Sequence, residues 1–117
     1  MPVLDITVVG APDDPALASR LAGAADRVLR AERTRVRLQA KRCLVNIERA
    51  LFGLGASLDH VVRTRMFVID ITGDWQAIGR AHAEVLGHVR PATTMVEVEA
   101  LIEPWMLVEI EADAFLG

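Results

Sequence analysis

The sequence predicts one α+β domain, residues 1–117, in which helices cover one face of a mixed β-sheet. Some segments alternate apolar and polar residues, as strands do, and others place apolar residues at helical spacing. Together they predict the order β-α-β-α-β-α-β-β. No internal repeat, low-complexity stretch or linker interrupts that order. A chain of this length can bury one core without disulfides or metal ions.

The first three elements are predicted within residues 1–38. Residues 3–9 alternate, which predicts a half-buried strand. Asp14 and Pro15 supply a helix cap and a first-turn residue, and apolar residues at helical spacing extend that helix to about residue 30. Residues 34–38 alternate arginines with apolar side chains and predict a second strand, although a helix that continues through them is the alternative.

Two further helices and a strand are predicted in the middle of the chain. Apolar residues at helical spacing over residues 43–54 predict the second helix, and Gly55 is placed to end it. Residues 61–69 are rich in β-branched side chains and predict a strand. Asp74 is the expected cap of the third helix, which Gly87 ends.

The last two strands, residues 93–101 and 107–114, are predicted to form an antiparallel hairpin. Alternation directs one set of side chains toward the helices: Val96, Val98, Val108, Ile110, Ala112 and Ala114. A charged set points away, together with two arginines of the preceding strand: Glu97, Glu99, Glu109, Glu111, Asp113, Arg63 and Arg65. This face predicts either solvated ion pairs or a functional or intersubunit surface.

Composition narrows the class of partner. Apolar residues make up 52% of the chain, more than the usual share, which indicates surface buried by self-association. The net charge of -3 is spread without a basic stripe and there is no tyrosine, so nucleic acid is not an expected partner. No apolar run is long enough for a membrane span, and no signal peptide is recognisable, so we expect a cytoplasmic protein.

Residues 39–114 resemble the Rid family, once called YjgF-like. The features that match are GASLD at a helix end before VVRTRMFV, then RPA and VEV, then VEIEA. Three stretches carry them: QAKRCLVNIERALFGLGASLDHVVRTRMFVIDITGDW, HAEVLGHVRPATTMVEVEAL and LVEIEADA. The resemblance implies the chorismate-mutase-like α+β fold of that family and a homotrimer with small-molecule clefts between subunits.

The resemblance also implies a chemistry for those clefts. The best-studied branch hydrolyses imines and enamines: water attacks the imine carbon and ammonia leaves. By resemblance, Glu109 handles the proton of that water. Thr93 stands where the branch has an arginine that holds the substrate carboxylate, and threonine offers neither the charge nor the bidentate geometry.

Other residues near that position are expected to complete the cleft. Arg90, Arg63 or Arg65 would replace the anchoring arginine, and Thr93 and Thr94 would donate hydrogen bonds from the cleft wall. The first hypothesis is therefore a trimer that binds a small carbonyl, imine or enamine metabolite in those clefts, with hydrolysis of the bound ligand as the candidate reaction.

Residues 1–38 resemble instead the opening β-α-β unit of the tautomerase superfamily, on the stretches MPVLDITVVG, ASRLAGAADRVL and TRVRL. That resemblance implies Pro2 as a general base once Met1 is removed, with Arg35 and Arg37 binding a dicarboxylate. An enol-keto tautomerase is thus a second hypothesis. A trimer that binds metabolites or proteins without catalysis is the third.

The remaining reactive residue types predict structural roles. His82 lies on the apolar stripe of the third helix, where a hydrogen-bonded histidine at a helix-sheet or subunit boundary is favoured over a proton carrier. The three histidines lack metal-ligand spacing, so neither a metal nor a cofactor is expected. Cys43 has no C-x-x-C partner and is expected to pack as a small apolar residue.

Overall fold

The computed structural model describes residues 4–10 and 25–117 as one layer of helices on a four-stranded sheet. The elements of the described chain are β1 (Leu4–Gly10), α1 (Ala25–Gly53), a 3-10 turn (Leu58–His60), β2 (Val61–Val68), α2 (Ile71–Leu86), β3 (Ala92–Glu97) and β4 (Val108–Leu116). The predicted α+β class with a mixed sheet and helices on one face is confirmed. The predicted cap and first turn of helix one, Asp14 and Pro15, lie outside the described residues.

The sheet has the strand order β1-β4-β2-β3. β2 pairs in parallel with β3, whereas β4 lies between β1 and β2 and is antiparallel to both. The predicted hairpin of the last two strands is therefore wrong. Ten residues separate β3 from β4, enough for the chain to cross over β2 and insert between strands that are distant in sequence.

Helix α1 runs without a break for 29 residues, so the predicted strand at residues 34–38 is wrong and the alternative, a helix that continues through them, is confirmed. Val36 is fully buried and lies in phase with the buried residues that follow at helical spacing: Ala40, Cys43, Leu44, Ile47 and Leu51. A five-residue alternation is too short to outweigh that stripe. Cys43 packs in the core as predicted.

Short-range hydrogen bonds define the end of α1 and the start of α2. Gly55 adopts φ 81 just after α1, a conformation that favours glycine, and Ala56 N–H donates to the carbonyl oxygen of Leu51 at 2.8 Å. At the start of α2, Gly73 N–H donates to Oδ1 of Asp70 at 3.2 Å. Asp70 is therefore the cap, and the predicted cap Asp74 lies inside the first turn.

Alternation along β4 follows the prediction, but along β3 it does not. Val108, Ile110, Ala112 and Ala114 are buried against the helices, and the acidic residues between them face away. In β3, Met95 pairs with buried Met66 and packs on the core, while Val96 is 41% exposed. The predicted orientation of Val96 and Glu97 is thus reversed, because the parallel register with β2 fixes which residues of β3 face the helices.

In the part of the chain that the structure describes, no helix has the length and apolar content needed to cross a membrane.

Candidate functional site

The sheet face away from the helices brings charged residues of β2 and β4 into facing rows. In the antiparallel register, Arg63 lies opposite Asp113, Arg65 opposite Glu111, and Phe67 opposite Glu109. β3 adds Thr94 beside Arg65 and Val96 beside Phe67. We call this surface the open face: Arg63, Arg65, Phe67, Thr94, Val96, Glu109, Glu111 and Asp113.

Arg65 is held at the centre of the open face by two carboxylates of β4. Its Nε donates to Glu111 Oε2 at 2.8 Å, and its terminal nitrogens donate to the two oxygens of Asp113 at 3.0 and 3.2 Å. These hydrogen bonds, first to Asp113 and then to Glu111, raise the pKa of Arg65. The guanidinium group therefore uses its donors within the sheet rather than for a ligand.

Glu109 differs from its acidic neighbours. It is half-buried opposite Phe67, and it forms no ion pair or hydrogen bond with any side chain that the structure describes. Arg65 bonds to Glu111 and Asp113 rather than to Glu109. A carboxylate with no cation bound to it keeps its oxygens available to a ligand.

The start of β3 places its two threonines on opposite faces of the sheet. Thr94 shares the open face with Arg65, whereas Thr93 pairs with the buried Thr64 on the face that carries the helices. Thr93 Oγ1 lies 3.0 Å from Thr64 Oγ1 and donates to the carbonyl oxygen of Pro91 at 3.1 Å. Glu109 and Thr93 therefore do not share a face within one chain.

His82 extends this hydrogen-bonded chain into α2. Its Nε2 lies 2.9 Å from Thr64 Oγ1, which confirms the predicted hydrogen-bonded histidine between helix and sheet. Burial lowers the pKa of His82 below its ordinary value. The sequence did not indicate Thr64 as its partner.

Arg90 lies on the exposed connection between α2 and β3 with φ 56, an unusual value for a residue other than glycine. Neither Arg90 nor Arg63 forms an ion pair with the other residues that the structure describes. Arg63 is exposed on the open face. Pro2 lies outside the described residues.

The structure thus brings Arg63, Arg65, Thr94 and Glu109 onto one surface, whereas Thr93 lies on the opposite face of the sheet and Arg90 lies in the connection before β3. Phe67 is the neighbour of Glu109 that our sequence reasoning missed. Side-chain alternation in β2 is the signal that could have found it, because Arg63, Arg65 and Phe67 are spaced by two.

No metal-ligating cluster occurs within the described ranges: nowhere there do three or more His, Cys, Asp or Glu side chains converge. A hollow of about 470 Å³ lies on the helical side, away from the open face. Its lining contains none of the predicted site residues: Leu44, Val45, Glu48, Ser57, Leu58, Asp59, Val85 and His88.

Comparison with known families gives a match over most of the chain. The family model described as endoribonuclease L-PSP matches residues 23–116. An uncharacterized protein of Streptomyces coelicolor is 41% identical over 68 residues, which are 58% of this chain and 48% of that protein. A RutC family protein of Pyrococcus abyssi is 34% identical over 80 residues, 68% of this chain and 61% of the relative. The chain therefore spans less than two thirds of either relative.

Solved structures share the fold. A member of the YjgF/YER057c/UK114 family from Mycobacterium tuberculosis superposes with a TM-score of 0.72 at 37% identity, covering 98% of this chain and 80% of that one. A protein of unknown function from Pseudomonas aeruginosa gives 0.73 at 28% identity, covering 92% and 70%.

Proposed function

Because the chain belongs to the endoribonuclease L-PSP family, also known as YjgF or Rid, we propose that it binds a small carbonyl, imine or enamine metabolite in clefts between the subunits of a homotrimer. We further propose that it hydrolyses that ligand with Glu109 as the acid and base. The family model covers residues 23–116, a range that includes the whole open face.

The position of Glu109 is the observation that carries this proposal. Glu111 and Asp113 are occupied by Arg65, so neither is free to take a proton without losing an ion pair. Glu109 has no such partner among the described side chains, and it is half-buried opposite Phe67 in the β2–β4 register. It is the acidic residue of the open face best suited to proton transfer.

The open face also supports assembly between copies of the chain. Val96 is 41% exposed and Phe115, which follows the alternation of Glu109 and Glu111, is 48% exposed. Apolar side chains interleaved with charges on an uncovered sheet face are typical of a surface that a neighbouring subunit covers. Light scattering should give a mass near three times 12.8 kDa.

The proposed reaction uses one proton carrier. The Glu109 carboxylate removes a proton from water while the oxygen attacks the imine carbon, and the resulting acid returns that proton to the nitrogen. The Glu109 carboxylate next removes the hydroxyl proton of the carbinolamine and passes it to the nitrogen as the carbon-nitrogen bond breaks, so that one imine and one water give a carbonyl compound and ammonia. Arg63 and Arg90, the two predicted site arginines without a described ion pair, are proposed to orient the ligand together with Thr94.

Glu109→Gln tests the proposal. Ammonia release would be followed with 2-imino acids generated by an amino-acid oxidase and with neutral imines generated by an amine oxidase. We expect the variant to lose at least a hundredfold in rate acceleration and to keep its assembly state. Glu103→Gln, in the exposed connection before β4, is the matched control and should retain full activity. Retained turnover in Glu109→Gln would remove Glu109 from the mechanism.

A binding module without turnover is the second candidate. It is favoured by the commitment of Arg65 to Glu111 and Asp113, which leaves the centre of the open face without a free cation for a substrate anion. Saturable binding of 2-oxo acids or amides with no ammonia release from any imine of the panel would support this candidate against catalysis.

A further inference from the structure

The contacts among His82, Thr64, Thr93 and Pro91 can all be hydrogen bonds in only one arrangement of protons. The Pro91 carbonyl oxygen can only accept, so Thr93 donates its single hydroxyl proton to it at 3.1 Å. Thr64 must then donate to Thr93 at 3.0 Å. Thr64 in turn accepts from His82, so the proton of the neutral ring lies on Nε2, 2.9 Å from the hydroxyl oxygen.

This arrangement determines what Thr93 can offer a ligand. Its proton is committed to Pro91, and its oxygen accepts one bond from Thr64 and retains one lone pair. Thr93 is therefore an acceptor for any further group. A carboxylate is also only an acceptor, so the two groups would face each other with lone pairs and no proton between them.

In the proposed cleft between subunits, a ligand at Thr93 of one protomer would also meet the open face of a neighbouring protomer, and the charges of that face favour the same kind of ligand. Its acidic residues are Glu109, Glu111 and Asp113, and its basic residues are Arg63 and Arg65. Arg65 is bound to two of the three carboxylates, so Arg63 is the one basic residue of this face that is available to an anion. A neutral or positively charged group avoids repulsion by the acidic majority.

We infer that the ligand is neutral or cationic where it meets Thr93 and presents an N–H or O–H donor there, as a carboxamide, an amine-derived imine or an alcohol does. Thr93 determines this specificity, and Thr64 and His82 are positioning residues that fix its hydroxyl. The inference rests on the proposed function, because it takes Thr93 to line the cleft.

Two stable probes that differ in one group test the inference: 2-oxobutanamide and 2-oxobutanoate, titrated into the assembled protein by calorimetry. We expect the amide to bind at least tenfold more tightly. Equal or tighter binding of the carboxylate would overturn this inference while leaving the proposed function to the Glu109→Gln experiment. Failure of both probes to bind would count against the proposed function and this inference together.

Variants of Thr93 connect the preference to the residue. Thr93→Val removes the acceptor and should abolish the preference for the amide, whereas Thr93→Ser should keep it. Thr72→Val, an exposed threonine in the first turn of α2, is the matched control and should behave as the wild type. An unchanged preference in Thr93→Val would overturn the inference.

The tautomer of His82 provides a readout that needs no ligand. Ring-nitrogen chemical shifts in the assembled protein should identify the Nε2–H form at neutral pH, and Thr64→Val should relax that selection. A ring with its proton on Nδ1 would contradict the proton arrangement and the inference with it.

Discussion

Asp113 binds both terminal nitrogens of Arg65 across the β2–β4 pair, at 3.0 and 3.2 Å, while Glu111 holds Nε of the same side chain. Lysine cannot reproduce this fork of donors. We therefore expect Arg65→Lys to lower the melting temperature by a few degrees and Arg65→Met to lower it further, because the methionine leaves the carboxylates uncompensated. Thermal unfolding with circular dichroism measures both, and Arg49→Lys, an exposed arginine of α1, should leave the midpoint unchanged.

Gln39 connects α1 to the segment before β4. Its side chain is fully buried, donates to the carbonyl oxygen of Trp105 at 2.9 Å and accepts from Leu107 N–H at 2.7 Å. Gln39→Leu leaves two backbone groups without partners and should lower the free energy of unfolding by about 2 to 4 kcal/mol. Urea denaturation measures the loss. Gln76→Leu, on the exposed side of α2, should stay within about 0.5 kcal/mol of the wild type.

Gly10 lies where β1 touches the backbone of α1. A Cβ at this position would come within 2.1 Å of the carbonyl oxygen of Cys43 and 2.8 Å of Ile47 Cγ1. Gly10→Ala must therefore separate strand and helix and should cost about 2 kcal/mol or more in unfolding free energy.

Gly79 provides the opposite case within α2, because nothing lies within 4 Å of an added Cβ. Gly79→Ala should stabilise the protein by about 0.5 to 1 kcal/mol through helix propensity. A Gly10→Ala variant as stable as Gly79→Ala would contradict the close approach of β1 to α1.

His82 makes stability depend on pH. Its pKa is lowered from 6.5 by burial. On acidification below pH 6.5, the unfolded chain therefore binds a proton at this histidine that the folded chain does not yet bind. The free energy of unfolding should therefore fall as the pH drops from 6.5 toward the lowered pKa, by less than about 1.4 kcal/mol per pH unit because the ring is partly exposed.

Denaturant titrations between neutral pH and pH 5 should reveal this slope in the wild type. His82→Gln removes the titrating group and should reduce the slope, whereas His88→Gln, an exposed histidine near Asp59, should retain it. An identical slope in His82→Gln would assign the pH dependence to another group.

The elements of the chain were largely predictable, and the candidate site was partly so. Alternation in β4 correctly separated buried Ile110 from Glu109, because one face of that strand is apolar at every second residue. The family resemblance directed attention to Glu109 and Thr93. It could not reveal that Arg65 forms an ion pair with Asp113, since that contact joins side chains 48 positions apart.

Sequence patterns were sufficient to predict the α+β class, the strands β1, β2 and β4, and the helix over residues 43–54 with its end near Gly55, because periodicity and local backbone preference depend on neighbouring residues. Packing between distant segments was needed to establish that α1 continues through Val36, that β4 inserts between β1 and β2, and that β3 directs Thr93 toward Thr64. Each of these depends on which distant surface an element packs against, and burial against a partner outweighs the weak local signal of a short segment.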